Sequence, residues 1–227
     1  MAIMEKDIQI IEYKEVDLSN SILIEAFPTV GLVSSIAGHF VIDQLKLQEI
    51  GTIQSRYFMP AAVIHKGVPS PPVRIYAGKK KCEPDDICEQ IVVIISEFMP
   101  TVDIIHPLGD AILAWAKKKK CSFIVTLEGT HALDQKKLKT RGVASTQKMK
   151  DVLKTYTIEE TQEGMITGIT GVLLYEGVRL KRDVLCLLAE AHTSYPDSRA
   201  AGCVVIGLNI DADITIQRLS ELTDLVL

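Results

Sequence analysis

Residues Ile22–Leu47 read ILIEAFPTVGLVSSIAGHFVIDQLKL, and this stretch decides the fold class. It opens with the short apolar run Ile22–Ile24, as in a strand that is buried on both faces of a parallel sheet. Pro28 ends that strand because it has no N–H to donate to a sheet ladder. Apolar residues then recur at helical spacing from Val33 to Leu45. The stretch therefore predicts a strand, a tight turn and a helix, the first half of a βαβ unit.

The turn between this strand and helix carries two candidate ligand-binding residues, Thr29 and Gly31. Thr29 is predicted to cap the helix. Gly31 lets the backbone come close to either another strand or a ligand, because it has no side chain. The residues alone leave these two alternatives open.

Apolar runs alternate with helical patterns along the rest of the chain. Further buried strands are predicted at Ile91–Ile95, Cys121–Leu127 and Val184–Leu188, and an edge strand at Ile8–Tyr13. Helices are predicted from Thr101 to about Trp115 and over Thr146–Thr155, Val172–Leu180, Pro196–Leu208 and Asp213–Leu225. This alternation predicts an α/β fold with a mostly parallel central sheet flanked by helices. We expect residues 1–227 to form one such domain.

A proline-rich section interrupts this alternation. The short runs Ala61–His65 and Val73–Ala77 flank the turn Lys66–Pro72, which predicts an inserted antiparallel β-hairpin. Apolar residues on a projecting hairpin are poorly explained by core packing, so we treat them as candidate interface residues. They are Tyr57, Phe58, Met59, Pro69, Pro71 and Pro72. The alternative is a hairpin that folds back and buries them.

Composition limits the class of function. The chain is 47% hydrophobic and 24% charged, which is ordinary for a globular protein, and its net charge of −4 favours neither nucleic acid nor an anionic membrane as a partner. The N-terminus lacks the apolar core of a signal peptide, and no apolar run reaches the roughly 20 residues of a membrane span. Five scattered cysteines make a disulfide framework improbable, so we expect a cytoplasmic protein.

Four predicted strands finish with a glutamate: Glu25, Glu97, Glu128 and Glu190. Ligands of open α/β sheets bind beyond the carboxyl ends of the strands, where these side chains would converge if the strands are parallel neighbours. Clustered carboxylates raise one another's pKa and could bind Mg²⁺ or act as a general acid and base. In the alternative interpretation each glutamate caps a helix or pairs with a basic group.

Gly164–Gly171 is the most glycine-rich stretch. It has neither the GxxxxGK[ST] nor the GxGxxG spacing of a phosphate-binding loop, so a helix start that packs closely on the sheet is the better interpretation. A bare helix N-terminus can still bind an anion, which makes Gly171 a candidate ligand-binding residue.

Other catalytic patterns are absent from the sequence. Ser35, His39 and Asp43 lie in a line on one helix face, where they cannot surround a carbonyl as a catalytic triad does. The remaining histidines and the cysteines lack zinc-ligand spacing, and there is no GxSxG motif. We therefore expect no catalytic residues, no metal and no cofactor.

Three segments together resemble the proteasome assembly chaperone family, in particular its archaeal members. The first is EAFPTVGLVSSIAGHFVIDQL at residues 25–45, and the second is SRYFMPAAVIHKGVPSPPVRIYAG at residues 55–78. The third is GITGVLLYEG, followed by VLCLLAEAH and YPD. Ala26 and Thr29 stand where this family commonly has glycines.

The resemblance implies a phosphorylase- or hydrolase-like α/β fold, related to nucleoside phosphorylases but without their active site. It also implies self-association into a homo-oligomer, often a trimer, and a cytoplasmic role in proteasome assembly through binding of α-subunits. Some family members dock through a C-terminal tail whose penultimate residue is tyrosine. Here the chain ends Leu225-Val226-Leu227, so a tyrosine hydroxyl is missing from that contact.

Three hypotheses follow for the function. The first is a non-enzymatic, assembly-chaperone-like protein that acts through an exposed apolar surface. The second is an enzyme that binds a small ligand or nucleotide with the strand-end glutamates, in a closed pocket at the carboxyl edge of the sheet that the helix starts at Thr29–Gly31 and Thr170–Gly171 would also line. The third is a scaffold that assembles only with itself.

Overall fold

The computed structural model describes residues 7–65, 67–79, 90–131 and 140–208. The strands are β1 Gln9–Glu12, β2 Ile22–Ala26, β3 Gln48–Gln54, β4 Val63–His65, β5 Val68–Ser70, β6 Val73–Lys79, β7 Gln90–Ser96, β8 Phe123–His131, β9 Thr140–Ala144, β10 Glu159–Glu160 and β11 Val184–Ala191. The helices are α1 Val33–Gln44, α2 Val102–Lys118, α3 Gln147–Thr155, α4 Gly168–Leu180 and α5 Ser198–Gly207. The predicted helix at Asp213–Leu225, the C-terminal tail, Cys82 and Cys88 lie outside the described residues.

Nine strands form the central sheet in the order β1-β3-β6-β7-β2-β8-β11-β9-β10. Its middle is parallel: β7, β2, β8 and β11 are consecutive neighbours that all run the same way. The antiparallel strands β6, β3 and β1 extend the sheet on one side, and β9 extends it on the other side. The α/β fold with a parallel centre is therefore confirmed, and β1 is the predicted edge strand.

Helices cover both faces of the parallel strands, so these strands are apolar on both sides. On one face α1 and α5 pack against alternate residues such as Ile24, Val125 and Leu187. On the other face α2 and α4 pack against the residues between them, such as Leu23 and Ile124. This alternation decides which face each strand-end side chain reaches.

The predicted hairpin forms with a different pairing. Val63–His65 pairs with Val68–Ser70 in a small separate sheet, whereas Val73–Lys79 joins the central sheet between β3 and β7. The prediction of a turn over Lys66–Pro72 was wrong at Val68–Ser70, which is a strand. A hairpin of two short strands has outer edges that need no further ladder bonds, so Pro69 is tolerated in it.

Two helices, α1 and α4, begin at residues other than the predicted ones. α1 begins at Val33, after a single 3-10 turn at Val30–Leu32, and Thr29 precedes this turn without a capping hydrogen bond from its side chain. α4 begins at Gly168 rather than Val172, so the end of the glycine-rich stretch is already helical. Within the described residues, every helix falls short of the length and apolarity needed to cross a membrane.

Candidate functional site

The sheet order brings the ends of four strands side by side, and each of these strands contributes one of the glutamates predicted from the sequence. β7 leads to Glu97, and Glu25, Glu128 and Glu190 lie near the carboxyl ends of β2, β8 and β11. The four side chains nevertheless divide into two kinds of environment. Glu97 and Glu190 have basic partners, whereas Glu25 and Glu128 lie together without one.

Glu25 is buried between the sheet and the layer of α2 and α4, with only 1% of its surface exposed. Its carboxylate accepts hydrogen bonds from the backbone N–H of Phe27 at 3.0 Å and from the hydroxyl of Thr170 at 3.4 Å. Glu25 pairs in register with Thr126, so Glu128, two residues further along β8, extends from the same face. Among the described residues, no lysine, arginine or histidine forms an ion pair with either carboxyl group.

This environment favours the protonated carboxyl groups. Burial raises the pKa of Glu25 well above its ordinary value, and the neighbouring charge of Glu128 raises it further. Burial also raises the pKa of Glu128 to about 7, against a smaller opposing effect of the Thr170 hydroxyl. A pair of carboxyl groups in this state holds a proton near neutral pH and has the acidity of a general acid and base.

Glu97 forms an ion pair with the buried guanidinium of Arg74, and its carboxylate lies 3.4 Å from Nε2 of His39 on α1. Burial alone would raise the pKa of Glu97, but the hydrogen bond from His39 and the charge of Arg74 outweigh it and lower the pKa. Glu190 lies 3.6 Å from a guanidinium nitrogen of Arg141. Both glutamates thus have the basic partners that the alternative interpretation predicted.

The β2–α1 turn lies directly on the ends of the neighbouring strands. The backbone N–H of Gly129 donates to the hydroxyl of Thr29 at 3.2 Å, and a Cβ at Gly129 would lie 2.0 Å from the carbonyl oxygen of Val30. Gly31 has a φ of +63°, and a Cβ there would lie 2.8 Å from the carbonyl oxygen of His192. The close approach that Gly31 permits is therefore to other backbone, and the turn occupies part of the crevice where ligands of open α/β sheets bind.

Gly171 does not join the glutamate pair. It lies within α4, where a Cβ would come 2.5 Å from the carbonyl oxygen of Ile166. It lines an open groove of about 320 Å³ on the outer side of the helix, together with Thr161, Tyr175 and Val178. The part of the chain that the structure describes contains no group of three or more histidine, cysteine or acidic side chains that could hold a metal ion.

The candidate interface residues are buried to different degrees. Tyr57 and Phe58 pack against the core, and the ring of Phe58 contacts that of Phe98 edge-on at 5.2 Å between centroids. Met59 is 53% exposed. Phe58, Met59, Pro71 and Pro72 belong to the lining of an open groove of about 710 Å³ at the base of the small hairpin. Pro69 lies outside this groove, exposed on β5.

Thr170, which was expected to line the glutamate pocket at a helix start, donates a hydrogen bond to Glu25 from within α4. Sequence reasoning missed two other kinds of residue at these sites. Arg74 was signalled by one charge in the apolar strand Val73–Ala77. Ile64 and Val68 on the hairpin are 65% and 61% exposed, although Ile64 belongs to an apolar run that predicted an ordinary strand and Val68 to the predicted turn. Which strand faces are covered depends on tertiary contacts, and local apolarity does not encode it.

Comparison with known proteins places these features in a family. The sequence profile of the PAC2 family matches residues 23–225. An uncharacterized protein of Methanocaldococcus jannaschii, MJ0106, is 30% identical over 218 residues, which are 95% of this chain and 86% of that protein.

Two solved structures from Pyrococcus furiosus are similar to this chain. PbaA, described as an archaeal homolog of proteasome-assembly chaperone, superposes with a TM-score of 0.83 and 26% identity over 96% of this chain and 92% of its own. PbaB, described as an archaeal proteasome activator, has a TM-score of 0.79 and 22% identity over 96% of this chain and 95% of its own, which shows a shared fold.

Proposed function

This chain belongs to the PAC2 family, and from that membership we propose that it is a non-enzymatic, proteasome-assembly-chaperone-like protein of the cytoplasm. It acts by associating with copies of itself and by binding proteasome subunits, with the α-subunits as the first candidates. The observation that carries this proposal is the similarity to PbaA, which extends over 96% of the chain rather than over one motif.

The exposed surface near the hairpin supports the proposal. Met59, Ile64 and Val68 are all more than half exposed, and together with exposed Pro69 they are close in sequence to the groove lined by Phe58, Pro71 and Pro72. Clustered apolar side chains in contact with water are typical of protein–protein interaction sites. A chaperone-like protein needs such a surface, whereas an enzyme of this fold needs an open crevice at the strand ends.

Native mass spectrometry tests the proposal directly. The purified protein is measured alone and mixed with archaeal proteasome α-subunits. We expect a closed homo-oligomer in the first sample and a complex containing α-subunits in the second. The test variant is Met59→Asp. It places a charge on the exposed apolar surface, so it should reduce formation of the complex with α-subunits. A wild-type protein that is monomeric and ignores α-subunits would contradict the proposal.

The glutamate pair supports a second candidate function, the binding of a small ligand or nucleotide at the carboxyl edge of the sheet. Its supporting observation is the pair of buried carboxyl groups, Glu25 and Glu128, without a basic partner among the described residues. A ligand that binds only the folded protein must raise its melting temperature. We would measure Tm with a panel of nucleotides, each with and without Mg²⁺. A shift that disappears in Glu128→Gln would favour this function, and no shift across the panel would count against it.

A further inference from the structure

Five polar side chains meet in the otherwise apolar layer between the sheet and helices α2 and α4. Glu25, Thr126 and Cys186 are in register on the neighbouring strands β2, β8 and β11, so their side chains extend from the same face of the sheet. Glu128, two residues further along β8, extends from that face as well. Thr170 of α4 lies over this group, and its hydroxyl interacts with both carboxyl groups.

The hydroxyl of Thr126 is not satisfied within this group. Thr126 has no exposed surface, and its oxygen has no hydrogen-bond partner among the described residues. The neighbouring thiol of Cys186 is only a weak acceptor. A buried hydroxyl without a partner is costly and therefore uncommon in folded proteins. A ligand bound between Thr126 and the two glutamates would supply the missing partner.

The two carboxyl groups lack a partner of opposite charge. Among the described residues, no basic side chain forms an ion pair with Glu25 or Glu128. Glu97 and Glu190, at the same edge of the sheet, both have arginine partners. Buried charges in proteins are normally paired or coordinate a metal ion. The carboxyl pair and the unsatisfied hydroxyl of Thr126 thus point independently to a bound cation.

The atoms of this group favour a hard cation. Carboxylate and hydroxyl oxygens suit Mg²⁺, whereas zinc sites are built mainly from histidine and cysteine. Ca²⁺ takes about six to eight oxygen ligands, but Mg²⁺ is commonly held by one or two carboxylates and keeps several waters. The described residues offer no group of three or more acidic, histidine or cysteine side chains, so two carboxylates with hydroxyl groups match Mg²⁺ best. Threonine hydroxyl groups also ligate Mg²⁺ in phosphate-binding loops.

The spacing of the oxygen atoms is compatible with Mg²⁺. The hydroxyl of Thr170 lies 3.4 Å from a carboxylate oxygen of Glu25, which is longer than an ordinary hydrogen bond between two oxygens. Neighbouring oxygens around an octahedral Mg²⁺ lie about 3 Å apart, because each bond is about 2.1 Å long. Glu128 is only half-buried, so water can reach this side of the group.

We propose that Glu25 and Glu128 bind one Mg²⁺ ion. The hydroxyl groups of Thr126 and Thr170 are further ligands, and water completes the coordination. The ion joins the ends of β2 and β8 to the start of α4. This differs from the sequence-based expectation of no metal, which came from the spacing of histidines and cysteines. The inference rests on the glutamate pair of the second candidate function, for which it names the cation, and it does not depend on the binding of proteasome subunits.

The melting temperature tests the site with Mg²⁺ alone. The protein is freed of metal with EDTA, dialysed, and titrated with Mg²⁺ near pH 8, where Glu128 is ionised. The control is K⁺ at the same ionic strength. We expect Mg²⁺ to raise Tm in a saturable way and K⁺ to leave it unchanged, because the specific ion binds only the folded protein. Isothermal titration calorimetry should give one Mg²⁺ per chain.

Thr126→Val separates a ligand from a structural residue. Valine has a similar shape but no hydroxyl, so the metal-free variant should be at least as stable as the wild type. Its affinity for Mg²⁺ should nevertheless fall roughly 10-fold or more. Glu128→Gln should abolish the saturable shift in Tm. The matched control is Glu190→Gln, which removes a carboxylate that already has Arg141 as a partner and should keep the wild-type affinity.

Three outcomes would overturn the inference: no effect of Mg²⁺ on Tm, an equal effect in the wild type and Glu128→Gln, or wild-type affinity in Thr126→Val. Nucleotides are measured separately on the metal-free protein. A shift with nucleotide but not with Mg²⁺ alone would support the second candidate function while the cation site fails. Capture of α-subunits in native mass spectrometry is an independent measurement, so the proposed chaperone function can stand or fail without affecting this result.

Discussion

At the scale of single residues, the surroundings of Glu25 and Glu128 shift the pKa in the opposite direction to the surroundings of Glu97. The first two are buried near each other, so their pKa values are raised. Glu97 lies against Arg74 and His39, so its pKa is lowered despite its burial. A raised carboxyl pKa weakens the fold as pH rises from the unfolded value of 4.5 through the folded value, whereas a lowered pKa weakens it as pH falls.

The variant Glu128→Gln tests this design, because glutamine resembles the protonated acid in shape. The shift from 4.5 to about 7 corresponds to about 3 kcal/mol of destabilisation, which develops between those pH values and stays constant above them. We expect the free energy of unfolding of the variant to match the wild type near pH 5 and to exceed it near pH 8. The measurement is urea denaturation across this range.

Glu97→Gln is the matched control and should behave in the opposite way. It leaves buried Arg74 without its carboxylate, so the variant should be less stable than the wild type at neutral pH. The difference should shrink below pH 4.5, where the wild-type Glu97 becomes protonated as well. Equal pH profiles for the two variants would contradict the assignment of both environments.

Gly129 is required by the backbone of the β2–α1 turn. Alanine there would place a Cβ 2.0 Å from the carbonyl oxygen of Val30, and backbone atoms cannot move aside as a flexible side chain does. We expect Gly129→Ala to lower the free energy of unfolding by about 2–3 kcal/mol in urea titrations, as overpacking does. Gly207→Ala, whose nearest neighbour would be a threonine methyl group at 3.2 Å, should be neutral or slightly stabilising.

At the scale of elements, Asp197 joins α5 to the end of β11. Its carboxylate accepts hydrogen bonds from the backbone N–H groups of Arg199 and Ala200 at the start of α5, and from that of His192. Asp197→Ala removes the cap and leaves the buried donors without a partner, so we expect a loss of about 2 kcal/mol in urea denaturation. Asp197→Asn keeps an oxygen acceptor and should lose less; equal losses would contradict the capping role.

Helix and strand positions were largely predictable because their signals are local. Asp197 follows Pro196 ahead of an apolar helical pattern, and the predicted start of α5 is confirmed. Pairing of the hairpin was not predictable in this way. Val73–Ala77 and Val68–Ser70 are both close to Val63–His65 along the chain, and the choice between them depends on β7, which offers Val73–Lys79 a longer partner.

At the scale of the whole molecule, stability should be distributed unevenly. β7, β2, β8 and β11 are covered by helices on both faces, whereas β1 is an edge strand and the small hairpin of β4 and β5 exposes Ile64 and Val68. In hydrogen–deuterium exchange we expect amides of the four parallel strands to exchange only through global unfolding, and those of β1 and the β4–β5 hairpin to exchange through local opening. Equal protection of the hairpin amides and the amides of the four parallel strands would contradict this distribution.

The candidate site was predictable only in part for a related reason. The sequence places glutamates after four strands, but strand order decides that all four reach one edge, and alternation of faces decides that Glu25 and Glu128 share an environment. The partners of Glu97 and Glu190, namely Arg74 and Arg141, come from antiparallel strands whose neighbours only tertiary structure fixes. The sequence shows which residues follow each strand, but it does not show which strands lie next to each other in the sheet.

The buried carboxyl pair also makes unfolding a proton-releasing reaction. Near neutral pH the folded chain holds protons on Glu25 and Glu128 that the unfolded chain gives up, while carboxyl groups with lowered pKa values such as Glu97 are ionised in both states. The solvent buffer must take up those protons, and its heat of ionisation enters the calorimetric trace. The apparent enthalpy of unfolding thus becomes a property of the protein and its buffer together, and comparing two buffers counts the protons that the sheet edge retains.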